Sequence, residues 1–82
     1  MTKRATTKDE LYLLKLFELA TKRGDPTAHV DRYVVGQAVG QNDKSVDNIV
    51  NLLAQTNFIR KGEGRNIYLT PHGLRSLETF KQ

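Results

Sequence analysis

Apolar residues recur at helical spacing in the first part of the chain. The main stripe falls at i, i+3, i+4 and i+7 and has further apolar residues on both flanks, so it is unusually wide. The stripe consists of Leu13, Leu16, Phe17 and Ala20, and its flanks of Leu11, Tyr12, Leu14 and Leu19. Thr7 and Glu10 have the spacing of a capping box, and Gly24 supplies a left-handed exit after a basic last turn. The pattern predicts a helix that ends at about residue 23.

The next part of the chain has a short and ambiguous apolar pattern. Residues 27–34 fit neither a clean strand nor a long helix, and we expect a brief extended segment that leads into a second helix. Val35, Ala38 and Val39 would form the small apolar face of that helix. Gly40 then predicts its end and a tight turn.

A third helix is predicted by a second clear stripe. Asn42 or Asp43 can cap its start, and Asn57, which tolerates the left-handed conformation, marks its end. The apolar positions at i, i+3, i+4 and i+7 are Val46, Ile49, Val50 and Leu53. This helix is therefore expected to bury one face and to expose a polar one.

The periodicity changes after the third helix. Residues 58–61 and 66–69 are β-prone runs on either side of a glycine-containing turn, which predicts a hairpin. Thr70 and Pro71 combine an N-cap with a proline at the first helical position. The last helix that they begin carries Leu74, Leu77 and Phe80. The predicted order is helix, helix, helix, hairpin, helix, which is an α+β fold with mostly α structure.

Length and composition limit the architecture that these elements can form. The 82 residues suffice for one modest core, which we place in residues 7–82 after a flexible basic tail at 1–6. No cysteine is present to add a disulfide or a thiolate metal site. The longest apolar stretch, 11–20, is too short to span a bilayer, and residues 1–10 lack the apolar region of a signal peptide. A cytoplasmic location is the expectation.

The ordered elements resemble the winged helix-turn-helix family across residues 8–80. The resemblance depends on the sequences of residues 35–40, 45–46, 52–60 and 68–73 taken in this order and spacing. The family usually has glycine where this chain has Asn57, and both residues can adopt the left-handed turn into the first strand of the hairpin. The resemblance implies a three-helix core, a β-hairpin wing and a C-terminal helix. It also implies double-stranded DNA as a partner, with helix 43–56 in the major groove.

The exposed residues give this hypothesis specific positions. Amide, lysine and serine side chains on the outer face of the third helix can hydrogen-bond to base edges, and wing cations at 60–66 can contact the backbone or the minor groove. The predicted nucleic-acid-binding residues are Lys44, Ser45, Asn48, Asn51, Arg60, Lys61 and Arg65. Arg65, expected at the wing tip, is the strongest single candidate. The predicted role is that of a small transcriptional regulator.

The acidic residues of the third helix favour an alternative. Asp43 and Asp47 outnumber Lys44, although DNA affinity depends on neutralising phosphates. Asp43 is explained as a helix-start residue, whereas Asp47 has no structural role that the sequence reveals. The alternative is a winged-helix module that binds a protein partner without direct DNA readout. The wide stripe of the first helix could also form a homodimer.

Chemistry other than binding has little support in the sequence. His29 and His72 have no acidic or histidine neighbours at metal-ligand spacing, and the glycines of residues 62–64 lie inside a hairpin rather than in a phosphate-binding loop. The +4 net charge is compatible with a polyanionic partner. We therefore expect neither an enzyme nor a metal or cofactor site.

Overall fold

The computed structural model describes residues 7–80, with side chains for residues 7–78. Within this range the protein is α+β and mostly helical, with four helices and a three-stranded antiparallel sheet. The elements are α1 (Lys8–Lys22), β1 (Val30–Asp31), α2 (Arg32–Ala38), α3 (Asp43–Gln55), β2 (Ile59–Lys61), β3 (Asn66–Leu69) and α4 (Pro71–Phe80). The basic tail predicted at residues 1–6 lies outside the described residues.

Local capping signals of α1 and α3 lie where the sequence predicts them. The Glu10 N–H donates to Thr7 Oγ1 over 3.2 Å, and the Thr7 N–H donates to Glu10 Oε1, so the capping box is present. Of the two candidates for the start of α3, Asn42 is the cap, because its side chain accepts from the Ser45 N–H. Asn57 has a φ of 68° and occupies the left-handed region.

The start of α2 differs from the prediction. Asp31 accepts a hydrogen bond from the Tyr33 N–H over 2.8 Å, so α2 begins at Arg32, inside the segment expected to be extended. Val35 is buried and Val39 is half-buried, but Ala38 is exposed, and its assignment to the apolar face is wrong. A helix of only seven residues has a narrow buried side, which Val35 and its neighbour Gly36 occupy.

The sheet joins the predicted hairpin to a third strand. Its order is β1-β3-β2, with Ile59 opposite Leu69 in the hairpin and Val30 opposite Ile67 on the other side. The hairpin is confirmed. The extended segment before α2 is a strand of only two residues, too short to show alternation, and its pairing with a strand more than thirty residues later could not be read from local pattern.

The wide stripe of α1 is explained by its central position. This helix contacts α2, α3, α4, β1 and β3, so apolar residues are needed around most of its circumference. Tyr12 is fully buried and Leu14 and Leu19 are half-buried against the core, whereas Leu11 is 48% exposed. The homodimer through α1 stays a prediction. Packing within the chain already accounts for most of the apolar residues of α1, so the width of the stripe does not by itself call for a second copy. Within residues 7–80, no helix has both the length and the hydropathy to cross a membrane.

Tyr12 links the core to α2 and predicts a loss of stability at alkaline pH. Its hydroxyl donates to the Arg32 carbonyl over 2.7 Å, and burial raises its pKa above the ordinary 10.0. The unfolded chain therefore loses this proton first, so the stabilising contribution is complete below pH 10 and falls as the pH rises further.

We expect Tyr12→Phe to lower the free energy of unfolding by about 1 kcal/mol at neutral pH through loss of the hydrogen bond. Urea unfolding at several pH values from neutral to above 10 should show a smaller alkaline loss in the variant than in the wild type. If the free energy of unfolding falls equally with alkaline pH in the variant and in the wild type, the stabilising role assigned to the Tyr12 hydroxyl is wrong.

Candidate nucleic-acid interface

The outer face of α3 forms a polar ridge. Lys44, Asn48, Asn51 and Gln55 are all exposed and recur at i, i+4, i+7 and i+11, which aligns them along one side of the helix. The residues of the opposite stripe, Val46, Ile49, Val50 and Leu53, are buried as predicted. The helix therefore presents amide donors and acceptors and one ammonium group to solvent. We call these four exposed residues the α3 ridge.

A groove separates the ridge from the hairpin. It has a volume of about 660 Å³ and its walls come from the second half of α3 and from both hairpin strands. Arg60 and Lys61 supply two exposed cations on the hairpin side. The groove, called the hairpin groove below, is lined by Asn51, Ala54, Gln55, Asn57, Ile59, Arg60, Lys61 and Tyr68. Polar hydrogen-bonding groups and positive charge thus share one concave surface.

A smaller depression lies on the other side of α3. It measures about 200 Å³ and brings the first turn of α1 beside the start of α3. Ser45 is half-buried here, to the side of the ridge. Lys8 is the first residue of α1 and lines the same depression as Asn48, so it adds a cation on this side of α3, next to the carboxylate of Asp9. Only the packing of α1 on α3 could reveal this neighbour, because the two positions are far apart in the chain.

Lys61 and Asn51 meet across the hairpin groove. The Lys61 ammonium donates to Asn51 Oδ1 over 2.9 Å, and both side chains are exposed. The sequence placed both residues at the interface but did not predict that they touch. The hairpin is therefore connected to the middle of α3 by a charge-assisted hydrogen bond.

Asp47 has a structural role that the sequence did not reveal. Its Oδ1 accepts from the Tyr33 hydroxyl over 2.8 Å and lies 3.8 Å from the Arg32 guanidinium. The hydrogen bond to Asp47 raises the pKa of Tyr33. The interpretation of Asp47 as a residue without structural purpose is therefore wrong, because it ties α3 to the first turn of α2. No local spacing connects positions 33 and 47.

Arg65 is held at the base of the hairpin turn. Its guanidinium pairs with Asp31 over 3.0 Å and lies 5.9 Å from the centre of the Tyr33 ring. The Arg65 carbonyl also accepts from the backbone and the side chain of Arg32. The side chain is still 68% exposed, but its charge is partly offset by Asp31. The expected free wing-tip arginine is thus a paired residue.

The outer face of the sheet carries an aromatic pair. Arg60 lies opposite Tyr68 in the register of β2 and β3, and the Tyr68 ring stacks on His29 with centroids 4.5 Å apart. The second histidine, His72, stacks on Phe58 in the same manner. Within residues 7–80, no three His, Cys, Asp or Glu side chains are grouped so that they could hold a metal ion.

Comparison with known proteins gives no relative from which a function could be transferred. No protein-family model, no curated protein and no solved structure matches the chain.

Proposed function

We propose that this chain is a winged helix-turn-helix domain that binds double-stranded DNA and acts as a small transcriptional regulator. In this proposal α2, the turn at Gly40 and α3 form the helix-turn-helix, and the hairpin forms the wing. The helix at residues 43–56 enters the major groove, while residues 60–66 contact the backbone or the adjacent minor groove. The order of the four helices and the position of the hairpin beside α3 support this assignment.

The observation that carries the proposal is the α3 ridge with cations on both sides. Asparagine and glutamine amides match the donor and acceptor pattern of adenine in the major groove, and lysine matches guanine O6 and N7. Arg60 and Lys61 lie on the hairpin side of the ridge, and Lys8 lies on the other side, where Asp9 partly offsets its charge. A duplex whose bases meet the ridge would bring its phosphates towards these side chains.

The two acidic residues of α3 oppose DNA binding less than their number suggests. Asp43 lies in the first turn, where the helix dipole favours a negative charge. Asp47 is engaged by Tyr33 and lies close to Arg32. Asp47 therefore has a structural role in the packing of α2 on α3, and Arg32 partly offsets its charge.

A fluorescence titration with labelled duplex DNA tests the proposal. At about 50 mM salt the protein should bind a random duplex, and the logarithm of the affinity should fall linearly with the logarithm of the salt concentration. An amide-shift titration should then place the changes at residues 43–55 and 60–66. Absence of binding at this salt concentration would remove the proposal, and shifts confined to α1 would redirect it.

The pairing of Arg65 with Asp31 makes a graded prediction. Arg60→Ala should reduce the salt slope by about one, as expected for one lost phosphate contact. Arg65→Ala should reduce it by less, because Asp31 already offsets part of the charge. Salt titrations of both variants on one duplex check this order. A larger reduction of the salt slope by Arg65→Ala than by Arg60→Ala would contradict this order and would indicate that Arg65 contacts the DNA backbone without its partner Asp31.

A protein-interaction module is kept as the second candidate because of an apolar groove outside the α3 ridge. It has a volume of about 320 Å³, and Leu52 in its wall is 45% exposed. The groove is lined by Thr7, Asp9, Glu10, Leu13, Leu52, Leu53, Thr56 and Phe58. Amide shifts that appear with a protein extract but not with DNA, and that map to these residues, would favour this candidate.

A further inference from the structure

The contact between Lys61 and Asn51 has a chemical consequence for the ridge. An ammonium group can only donate hydrogen bonds, so the atom of Asn51 that faces it must be the carboxamide oxygen. An exposed asparagine otherwise rotates about its last torsion between two orientations that exchange its donor and acceptor. Lys61 removes that freedom for Asn51 and fixes the direction in which the amide nitrogen points.

The position of Asn51 makes this orientation relevant to a ligand. It belongs both to the α3 ridge and to the lining of the hairpin groove, and its side chain is exposed. A carboxamide in one orientation distinguishes between base edges, because it offers a donor at one place and an acceptor at another. A carboxamide that rotates freely can satisfy several bases and discriminates less between them.

We propose that Lys61 is a positioning residue for base recognition by Asn51. This inference rests on the proposed DNA-binding function. Asn51 donates from its amide nitrogen to N7 of an adenine, and the lone pair of Oδ1 that Lys61 leaves free accepts from N6 of the same base. Lys61 thereby determines the preference at one base pair through Asn51, in addition to any attraction that its charge exerts on phosphates.

Arg60 provides a matched control on the same strand. It is the neighbouring exposed cation of β2 and lines the same groove, but of the two side chains it is Lys61 that hydrogen-bonds to Asn51 of α3. Loss of its charge should weaken binding to all duplexes by a similar factor. Lys61→Met keeps the length of the side chain and removes the donors, whereas Lys61→Arg keeps both charge and donors.

The experiment begins with a duplex selected from a random pool by the wild-type protein and continues with every single base-pair change in that duplex. Asn51→Ala should flatten an A·T preference of about tenfold at one base pair. Lys61→Met should reduce the preference at the same base pair, and Lys61→Arg should retain it. Arg60→Met should leave this preference intact while it weakens binding to every duplex. The double variant Lys61→Met/Asn51→Ala should lose no further preference there.

The outcomes separate this inference from the proposed function. If Lys61→Met weakens all duplexes alike, as Arg60→Met does, then Lys61 acts only through its charge and the inference is overturned. The inference is also overturned if Asn51→Ala removes the preference at a base pair where Lys61→Met leaves the preference unchanged. If the wild-type protein binds no duplex, the proposed function fails and the inference fails with it.

Discussion

Gly73→Ala is expected to destabilise the protein by about 2 to 3 kcal/mol, although alanine is the better helix former by about 1 kcal/mol. A methyl group at this position would overlap the carbonyl oxygen of Phe58. That oxygen cannot move away easily, because it accepts from the Thr70 backbone N–H over 3.1 Å and the Thr70 hydroxyl holds the adjacent Asn57 carbonyl over 2.6 Å. Thr70 is itself buried and caps α4 by accepting from the Gly73 N–H. The first turn of α4 is thus held directly against the chain between α3 and β2.

Thermal unfolding measures this effect, with an expected decrease of roughly 10 to 20 °C in the midpoint. Gly40→Ala is the control, because Gly40 has a φ of 76° and nothing lies within 4 Å of an added methyl group. Its cost should be about 1 kcal/mol, from backbone strain alone. If Gly73→Ala is neutral or stabilising, the close approach of α4 to the Phe58 carbonyl is not present in solution.

Reversal of two charges beside the α3 ridge is expected to abolish most of the proposed DNA affinity. Lys44→Glu with Arg60→Glu removes one cation from the ridge and one from the hairpin groove. At 0.15 M salt each cation that is brought close to the DNA phosphates contributes a factor of about 5 to the affinity, so the loss of two cations lowers it about 25-fold. Repulsion by the new carboxylates adds to this loss. Anisotropy titrations on one duplex measure the change.

A control with the same net charge separates a local effect from a global one. Lys22→Glu with Arg75→Glu alters exposed cations at the end of α1 and on α4, outside both the ridge and the hairpin groove. Each double variant has a formal net charge of 0 instead of +4. The control should lose only a few-fold in affinity. Equal losses in the two double variants would show that binding follows net charge and does not use the ridge.

The local elements of this protein could be predicted because their signals lie within a few residues of one another. The capping box at Thr7 and Glu10 and the left-handed Asn57 depend on short-range geometry, and each is present. The stripe of α3 likewise determines which residues are buried and which form the ridge. The N-cap at Asp31 was equally local but was missed, because the apolar pattern around it was ambiguous.

The sequence by itself thus determined the helices, the hairpin and the polar face of α3, since hydrogen bonds and side-chain periodicity over three or four positions encode them. Only the tertiary structure decided which charges of that surface are free and which are paired. Asp47 meets Tyr33, Arg65 meets Asp31 and Lys61 meets Asn51 at separations of ten residues or more. No local period specifies such contacts, because they arise from the packing of α1, α2 and the sheet around a common core.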